Sequence, residues 1–281
     1  MTETVSSSLD PAAPTHRSAV VPPEPRVSPI MRLLRSTRVW LVLLVGVGIW
    51  QIVVTALSLP SFILPSPVRV ATEFVDRPVM YLAATWVTTW ESLVGFGCAV
   101  VLGVALGVLI ARSRLTEELL YPYLNILRVT PTVAVAPLLT IWFGRGYLPI
   151  IVVSFLIAFF PIVVQTVLGL NSADRGLVDV LRIANADELA VLRKIRLPNA
   201  LPYIFSSFRI SAPGAVIGTL VGEFMSGSEG LGFLITTASG QLNTASVFVL
   251  VVLSSPLGIA LFQACALLER RVVRWHPSVR L

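Results

Sequence analysis

The chain has 281 residues, of which 55% are hydrophobic and only 13% carry a charge, with a mean hydropathy of +0.84. A soluble domain carries about 25% charged residues, so this composition excludes an ordinary soluble protein and predicts a polytopic membrane protein. The net charge of +6 therefore has to be interpreted by its position relative to the membrane spans, and not as a nucleic-acid-binding surface.

Residues that could carry catalysis or bind a metal are scarce in this sequence. Cys98 and Cys265 both lie in apolar runs, without a second cysteine or a histidine nearby, so we interpret them as small buried hydrophobic residues. His16 lies in a polar N-terminal stretch and His276 follows the last apolar run. No GxxxxGKS or GxxxxGKT phosphate-binding loop occurs. We expect no enzyme activity, metal site or cofactor here, and we do not expect the chain to bind and hydrolyse ATP alone.

Apolar runs of about 20 residues predict six transmembrane helices. They cover residues 39–57, 85–111, 119–143, 147–170, 199–224 and 246–268. A short helix is predicted at 67–74, within the polar connection 59–83, and a loop of small residues without a helix at 226–244. Prolines within the runs predict kinks, because proline removes a backbone hydrogen bond. Four prolines for which we predict such kinks are Pro131, Pro137, Pro161 and Pro213.

The lysines and arginines alternate between the connections in a way that predicts the topology. Sixteen lie in the two tails, in the turn after the second helix and in the stretch 174–202, whereas three lie in the connections on the other side. By the positive-inside rule, both termini and the stretch 174–202 are cytoplasmic. The predicted parts are a disordered cytoplasmic tail (1–38), the first transmembrane helix and outer connection (39–83), a core of helices 2–6 (84–268) and a basic cytoplasmic tail (269–281).

The most polar part of the chain is the stretch 174–202, between the fourth and fifth apolar runs. Its apolar residues recur at spacings of three and four, which predicts two short amphipathic helices. Asn185 separates the two helices, and Asp187 is a candidate N-cap of the second. Pro198 and Pro202 are expected to end that second helix before the next apolar run.

This predicted hairpin has an inner and an outer face. The inner face is expected to bury apolar side chains against the neighbouring spans, namely Leu189, Leu192 and Ile195. The outer face is expected to present charged side chains, namely Arg182, Asp187, Glu188 and Arg193. Charged rims steer and orient a partner more than they supply affinity, so we interpret the hairpin as a docking surface for a soluble protein.

The hairpin ends in a recognisable pattern. The sequence IRLP at 195–198, with Asp179 at the acidic position and Asn185 at the glycine position, resembles the EAA loop of bacterial ABC-importer permeases. Val180 and Leu181 stand where that loop has two alanines, and Asn is a common substitute for Gly in a left-handed backbone conformation. The resemblance implies a coupling helix that contacts an ATPase through Asp179, Arg182, Asn185, Ala186, Asp187, Glu188 and Arg193.

Further motifs, in order and spacing, resemble the nitrate, sulfonate and taurine branch of these permeases, which includes pyrimidine-precursor and riboflavin-type relatives. They lie at 64–67, 90–96, 127–146, 158–166, 197–215, 222–224, 229–232 and 268–275. The resemblance implies an all-α membrane protein with six transmembrane helices, like a type I ABC-importer permease, in the bacterial inner membrane. It also implies two cytoplasmic ATPases, an extracytoplasmic solute-binding protein, a second permease copy, and a small solute such as a sulfonate, taurine or nitrate.

Small residues in the fifth predicted span lie at spacings of three and four and share one helical face. They are Ser207, Ser211, Gly214, Gly218 and Gly222. Such a face either packs closely against another helix or lines the solute path or the two-fold interface, and the sequence leaves both open. Gly103 and Gly107 in the second span indicate packing alone.

Two arginines lie inside predicted spans, Arg128 and Arg209. They either attract an anionic solute or pair and snorkel near the cytoplasmic boundary, because an unpaired charge at the bilayer centre costs ~2.5–3.5 kcal/mol. Glu223 is expected at the outer interface, and the segment 229–232 is a candidate gate or contact loop facing the binding protein.

Two other classes of protein compete with the importer hypothesis. An ion-coupled secondary transporter would carry paired acidic residues near the midplane and internal repeats, which we do not find in the sequence. A membrane scaffold would use the hairpin to dock a soluble enzyme unrelated to ATP. Co-purification of an ATPase would separate the three.

Overall fold

The computed structural model describes residues 29–129 and 131–274, and in this part of the chain all the regular structure is helical. The predicted tail before residue 29 and the last seven residues lie outside the described residues. The helices are α1 Pro29–Ala56, α2 Pro67–Asp76, α3 Pro78–Arg112, α4 Arg114–Val129, α5 Thr132–Phe143, α6 Tyr147–Asn171, α7 Arg175–Ile183, α8 Glu188–Val191, α9 Leu197–Ser226, α10 Leu231–Gly240 and α11 Thr244–Val272.

Four helical segments of the described chain are long and apolar enough to cross a membrane: α3, α6, α8 joined to α9, and α11. They correspond to the second, fourth, fifth and sixth predicted spans. Helix α1 covers the first predicted span and begins ten residues before it, so residues 29–38 are helical where the sequence analysis predicted a disordered tail. Nothing breaks the helix between Pro29 and the apolar run, so the helix extends back to that proline.

The third predicted span, 119–143, is not one helix. It is divided into α4 and α5, neither of which is longer than 16 residues. Pro131 has an extended backbone conformation, with φ −67° and ψ 98°, and stands immediately before α5. Proline lacks an amide donor and disfavours a helical conformation in the residue before it, so the apolar run is divided at this point. The other three prolines predicted to kink the spans, Pro137, Pro161 and Pro213, lie inside helices.

Pro198 and Pro202 do not end a helix, contrary to the expectation from the sequence. A π-helical turn, Leu192–Arg196, joins α8 directly to α9, and the amide of Leu197 donates to the carbonyl of Leu192. Pro198 follows in the first turn of α9, where its missing N–H leaves no helical bond unmade. The result is one helical segment of 39 residues, Glu188–Ser226.

The loop predicted at 226–244 contains a helix. The segment between Ser226 and Gly230 is irregular, and Leu231–Gly240 then forms α10. Leu231 and Ala238 of this helix are buried, and Leu231 belongs to a cluster with Tyr81, Val249 and Leu250. This helix was not predicted, because the segment is rich in small residues and a short, partly buried helix needs little amphipathic periodicity.

By its contacts the chain divides into two units at Ile49, of which the first contains the beginning of α1. In the second unit, α6 is the central helix, packed between α3 and α9. Glycines of α3 allow this approach: a Cβ on Gly103 would lie 2.9 Å from an Ile162 side-chain carbon, and one on Gly107 would lie 2.6 Å from the Cβ of Thr166. This agrees with the packing role predicted for Gly103 and Gly107.

The bundle has two ends with different structures. At one end, the guanidinium of Arg196 donates to the Ala111 carbonyl at 3.4 Å, and Asn199 Nδ2 donates to Ser172 Oγ at 2.8 Å. This end carries α7 and α8, and we call it the hairpin end. At the opposite end, the amide of Gly146 donates to the carbonyl of Ser226 at 3.1 Å, close to α10. We call this the α10 end.

Candidate functional site

Helices α7 and α8 form the predicted hairpin, and polar residues define its turns. Asp174 caps α7 by accepting from the Gly176 amide at 2.7 Å. Asn185, between the helices, has a φ of 54°, which is the left-handed conformation expected at this position. Asp187 accepts from the Ala190 amide at 2.9 Å, so it is the N-cap of α8 as predicted.

The faces of the hairpin differ from the prediction. Leu189 is exposed, and Leu192 and Ile195 are only half-buried. On α7, Leu177, Val180 and Ile183 are 56%, 62% and 85% exposed, so an apolar stripe faces outward. The prediction buried Leu189, Leu192 and Ile195 and turned only charged residues outward. The exposed surface of the hairpin instead carries apolar as well as charged side chains.

The charged residues proposed for coupling are exposed on the same hairpin. Arg182 Nη2 and Glu188 Oε1 are 2.7 Å apart and about half exposed, which makes them a solvated ion pair that joins α7 to α8. The side chains of Asp179 and Arg193 are exposed as well. Ala186 is half-buried, and its amide donates to the Leu181 carbonyl at 3.0 Å. Exposed pairs of this kind contribute about 0–1 kcal/mol, so they orient a partner more than they stabilise the chain.

The hairpin is rigidly joined to the bundle. Leu192 and Leu197 pack against a buried cluster of Leu170, Ala200 and Ile204. Val191, at the end of α8, is fully buried. Helix α8 continues through the π-helical turn into α9, so part of the hairpin belongs to a helical segment long and apolar enough to cross a membrane.

The small-residue face of α9 lies against α6 for part of its length. Cβ atoms added to Gly218 and Gly222 would come within 2.8 Å of the Cα atoms of Ser154 and Ile150. Gly214 is less tightly packed, with an added Cβ 3.3 Å from a side-chain carbon of Ile157. Close helix packing therefore accounts for the two outer glycines.

The two serines of the same face are buried but differ in their hydrogen bonds. Ser207 Oγ donates to the Ile204 carbonyl at 2.6 Å. Ser211 is 2% exposed, and its hydroxyl has no hydrogen-bond partner among the described residues. A buried hydroxyl without a partner is rare in native proteins, so the Ser211 hydroxyl can still form a hydrogen bond with a water molecule or a ligand.

Arg209 has a charged partner within the chain. Its Nη1 lies 3.1 Å from Glu269 Oε2 on α11, and its guanidinium lies over the ring of Phe262 at 5.0 Å. Glu269 is buried, with 8% of its side chain exposed. The positive charge of Arg209 is thus matched inside the protein. Arg128 lies in α4, and its side chain is outside the described part of the structure.

A polar cluster at the α10 end was not predicted from the sequence. Glu73 Oε1 on α2 accepts from Ser246 Oγ at 2.9 Å and from the Tyr81 hydroxyl at 3.1 Å, joining α2, α3 and α11. Partial burial by itself raises the pKa of Glu73, but the hydrogen bonds from Ser246 and Tyr81 outweigh it and hold the pKa below its usual value. No spacing rule connects three positions so far apart in the sequence.

Glu223 lies three residues before the end of α9, and the sequence analysis did not foresee that it is buried among protein groups. Cys98 was expected to be buried, and that expectation is wrong. Glu223 is 1% exposed and accepts from Thr88 Oγ1 at 2.6 Å and from the Gly232 amide at 2.5 Å. Cys98 is exposed, whereas Cys265 is buried as predicted. An acid within an apolar helix is tolerated where it is buried with donors, and a surface cysteine is tolerated where the surroundings are apolar.

Residues 99–274 of this chain match a family model described as "Binding-protein-dependent transport system inner membrane component". The chain belongs to this family. The match includes α6, the hairpin, α9, α10 and α11. Proteins of this family are inner-membrane permease subunits of ABC importers, so the importer hypothesis is confirmed at the level of the family.

Several permeases resemble this one over most of their length. The riboflavin transport system permease protein RibX of Chloroflexus aurantiacus is 36% identical, and the alignment covers 91% of this chain and 98% of that protein. The putative aliphatic sulfonates transport permease protein SsuC of Escherichia coli is 31% identical, covering 90% and 97%. The formylaminopyrimidine transport permease protein ThiX of Halalkalibacterium halodurans is 30% identical, covering 87% and 97%.

The fold of this permease is also found in a solved transporter. A chain from inward-facing conformations of the methionine ABC transporter MetNI superposes with a TM-score of 0.60 at 22% identity. The superposition covers 70% of this chain and 98% of that one. The likeness concerns the fold alone, and it identifies the helical bundle as that of a type I ABC-importer permease.

Proposed function

We propose that this permease works with two cytoplasmic ATPase subunits, a second copy of itself and an extracytoplasmic binding protein to import a small solute. The observation that carries the proposal is the single helical segment Glu188–Ser226, which runs from the exposed hairpin into the middle of the bundle. A subunit driven by an external ATPase needs such a rigid connection between its docking surface and its spans.

The hairpin is the proposed docking surface for the ATPase. The exposed apolar stripe of Leu177, Val180 and Ile183 supplies apolar surface that a partner would bury on docking. The ion pair of Arg182 and Glu188 lies at the edge of this stripe and would orient the partner. Burying three such side chains supplies about 1.5–3 kcal/mol each, which exceeds what the exposed charges supply.

The proposed topology places the hairpin end in the cytoplasm and the α10 end outside. The excess of arginines in the hairpin and in the turn at Arg112 and Arg114 supports this orientation. It puts α10 and the segment 229–232 on the side where a binding protein delivers its solute. The closing of two ATPases on ATP would then draw two hairpins together and alternate the access to the path between them.

The solute is proposed to be either a sulfonate-like anion or a flavin- or pyrimidine-type heterocycle. Similarity to the sulfonate permeases supports the anion, whereas 36% identity to a riboflavin permease supports the heterocycle. The ion pair of Arg209 with Glu269 also favours the heterocycle, because it removes one of the two in-span charges that could attract an anion. Ser211, with its unpaired buried hydroxyl, is the proposed polar contact in the path.

Reconstitution tests the importer. The permease is purified with its ATPase and binding protein, and uptake into proteoliposomes is measured with taurine, riboflavin and a formylaminopyrimidine. Uptake that requires both ATP and the binding protein is expected. Uptake driven by an ion gradient without ATP would replace the importer by a secondary transporter.

Charged substitutions in the apolar stripe test the docking surface. Ile183→Asp, at a side chain that is 85% exposed, is expected to abolish co-purification of the ATPase while leaving the permease folded. Ile63→Asp is the matched control, because Ile63 is 59% exposed and lies in the segment before α2, away from the hairpin. Equal retention of the ATPase by both variants would show that the stripe is not the docking surface.

A further inference from the structure

Two glutamates lie buried side by side between α3 and α9, in the half of the bundle near α10. Glu91 is 3% exposed and Glu223 is 1% exposed, and their carboxyls are within hydrogen-bonding reach of each other. The described ion pairs of the chain involve other acids, Glu188 and Glu269. Two adjacent carboxylates without a cation would be strongly disfavoured in such a buried site.

The hydrogen bonds of Glu223 assign its charge. Gly232 donates its amide to Glu223 Oε2 at 2.5 Å, and an amide can only donate. Thr88 Oγ1 accepts from the Leu231 amide at 2.9 Å. Its hydroxyl proton has two acceptors within reach, Glu223 Oε1 at 2.6 Å and the Ala84 carbonyl at 3.2 Å, and the shorter distance assigns the proton to Glu223. Both oxygens of Glu223 are therefore acceptors, as expected for an ionised carboxylate.

Glu91 must then be the partner that carries a proton. Since Glu223 is an acceptor on both oxygens, a hydrogen bond between the two carboxyls requires Glu91 to donate. The other oxygen of Glu91, Oε2, is buried and has no hydrogen-bond partner among the described residues. An unpaired oxygen is tolerable on a neutral acid and far more costly on a charged one.

The charged member of this pair holds the start of α10. Glu223 and Thr88 together accept from the first two amides of the helix, those of Leu231 and Gly232. A negative charge at a helix N-terminus is further stabilised by the helix dipole. Gly230 has a φ of 96°, and a Cβ added to it would collide with the Glu223 carboxyl. Only glycine therefore fits at this position. The loop before α10 is therefore shaped around this carboxylate.

We infer that Glu91 and Glu223 share one proton, and that this pair, with Thr88, is the positioning element that fixes the N-terminus of α10 to α3 and α9. Glu91 donates its proton to the hydrogen bond with Glu223, so that Glu223 is the only charged member of the pair. Glu223 and Thr88 accept from the first two amides of α10. Gly230 and Gly232 leave room for the Glu223 carboxylate to reach these amides. The inference concerns the position of α10 and is independent of the direction of transport and of the solute.

Amide hydrogen exchange of α10 in the full-length protein tests the inference. Glu91→Gln keeps a donor facing Glu223, so exchange within Leu231–Gly240 is expected to stay within about twofold of the unsubstituted protein. Glu223→Gln replaces one acceptor by an NH2 group that faces a donor, so exchange there is expected to accelerate about tenfold or more. Equal acceleration in both variants would overturn the shared proton.

Thr88 supplies a second comparison if Glu223→Gln fails to fold. Thr88→Ser keeps the hydroxyl and is expected to retain slow exchange in α10, whereas Thr88→Val keeps the shape and is expected to lose it. Infrared spectroscopy gives an independent signature: a protonated carboxylic acid band at neutral pH that is absent from Glu91→Gln. Absence of that band from the unsubstituted protein, or equal exchange in the two Thr88 variants, would overturn the inference.

Discussion

Gly218 of α9 lies directly against Ser154 of α6, so that a Cβ on Gly218 would be 2.8 Å from the Ser154 Cα. Gly95 of α3 approaches the same residue, with an added Cβ 2.6 Å from the Ser154 Cβ. Ser154 also donates from Oγ to the Ala215 carbonyl at 2.9 Å. Ser154 of α6 therefore lies in close contact with both neighbouring helices, α3 and α9. This contact is possible because Gly95 and Gly218 have no side chains.

Enlarging Gly218 is expected to separate α6 from α9. Gly218→Ala should destabilise the permease by about 1–3 kcal/mol because the new methyl meets backbone, and Gly218→Leu should block assembly or transport. The midpoint of thermal unfolding in detergent and ATP-dependent uptake measure these effects. Gly97→Ala is the control, because nothing lies within 4 Å of a Cβ at Gly97. Normal uptake by Gly218→Leu would contradict the packing described for α9.

Asn185 is expected to accept glycine and to reject a β-branched residue. Its φ of 54° is open to Gly at no steric cost, whereas Val at this angle should cost about 1–2 kcal/mol and disturb the turn between α7 and α8. ATPase retained on purification is the measurement. Asn185→Gly should retain the ATPase fully and Asn185→Val should lose most of it, and the reverse order would show that the side chain matters more than the backbone.

The acidic start of α8 is expected to contribute to docking through its charge. Reversal of both charges, Asp187→Lys with Glu188→Lys, should lower ATPase retention about tenfold while the protein remains inserted. Asp187 also caps α8, so Asp187→Ser is the control that removes the charge and keeps an N-cap. Unchanged retention after charge reversal would remove the acidic residues from the docking surface.

The ion pair of Arg209 and Glu269 can be separated from anion attraction by a double-mutant cycle. If pairing is the role of Arg209, then Arg209→Gln and Glu269→Gln should have similar effects on stability and a coupling of about 0.5–1 kcal/mol, since Arg209 is 40% exposed. The KM for solute should not change. A higher KM for an anionic solute in Arg209→Gln alone would instead assign the arginine to the path.

The Glu73 cluster is expected to weaken in acid. The pKa of Glu73 in the folded chain lies below its usual value, so its contribution to stability is complete above the unfolded pKa of about 4.3 and is lost as the pH falls through the lower folded pKa. Thermal unfolding between neutral pH and this acidic range should show a steeper loss for the unsubstituted protein than for Glu73→Gln. Parallel curves would exclude the contribution.

The sequence predicted the parts of the fold that rest on local chemistry. The N-cap at Asp187 and the left-handed residue at Asn185 follow from short-range rules that hold in any context, and both are present. The long apolar runs likewise fixed α3, α6 and α11 to within a few residues, except where α3 begins in the outer connection. Proline was less predictable, because Pro131 divides a span whereas Pro198 lies within a continuous helix.

The parts that sequence reasoning missed depend on contacts between distant segments. The contacts of Glu223 were not predicted, because Thr88 lies on a different helix and Gly232 lies beyond a loop. The exposed stripe on α7 was missed for a related reason: apolar periodicity identifies an amphipathic helix but does not say whether its apolar face meets this chain or another.

The π-helical turn Leu192–Arg196 has a geometric consequence for the hairpin. Each residue of an α-helix advances the chain by about 100° around the axis, and a π turn contains one residue more than the α turn it replaces. Deleting one residue within 192–196 would convert the π turn into an ordinary α-helical turn. It would rotate α7 by about 100° around the axis of α9. The direction in which the hairpin projects from α9, and thus the side from which another protein can reach it, depends on the one extra residue of this π turn.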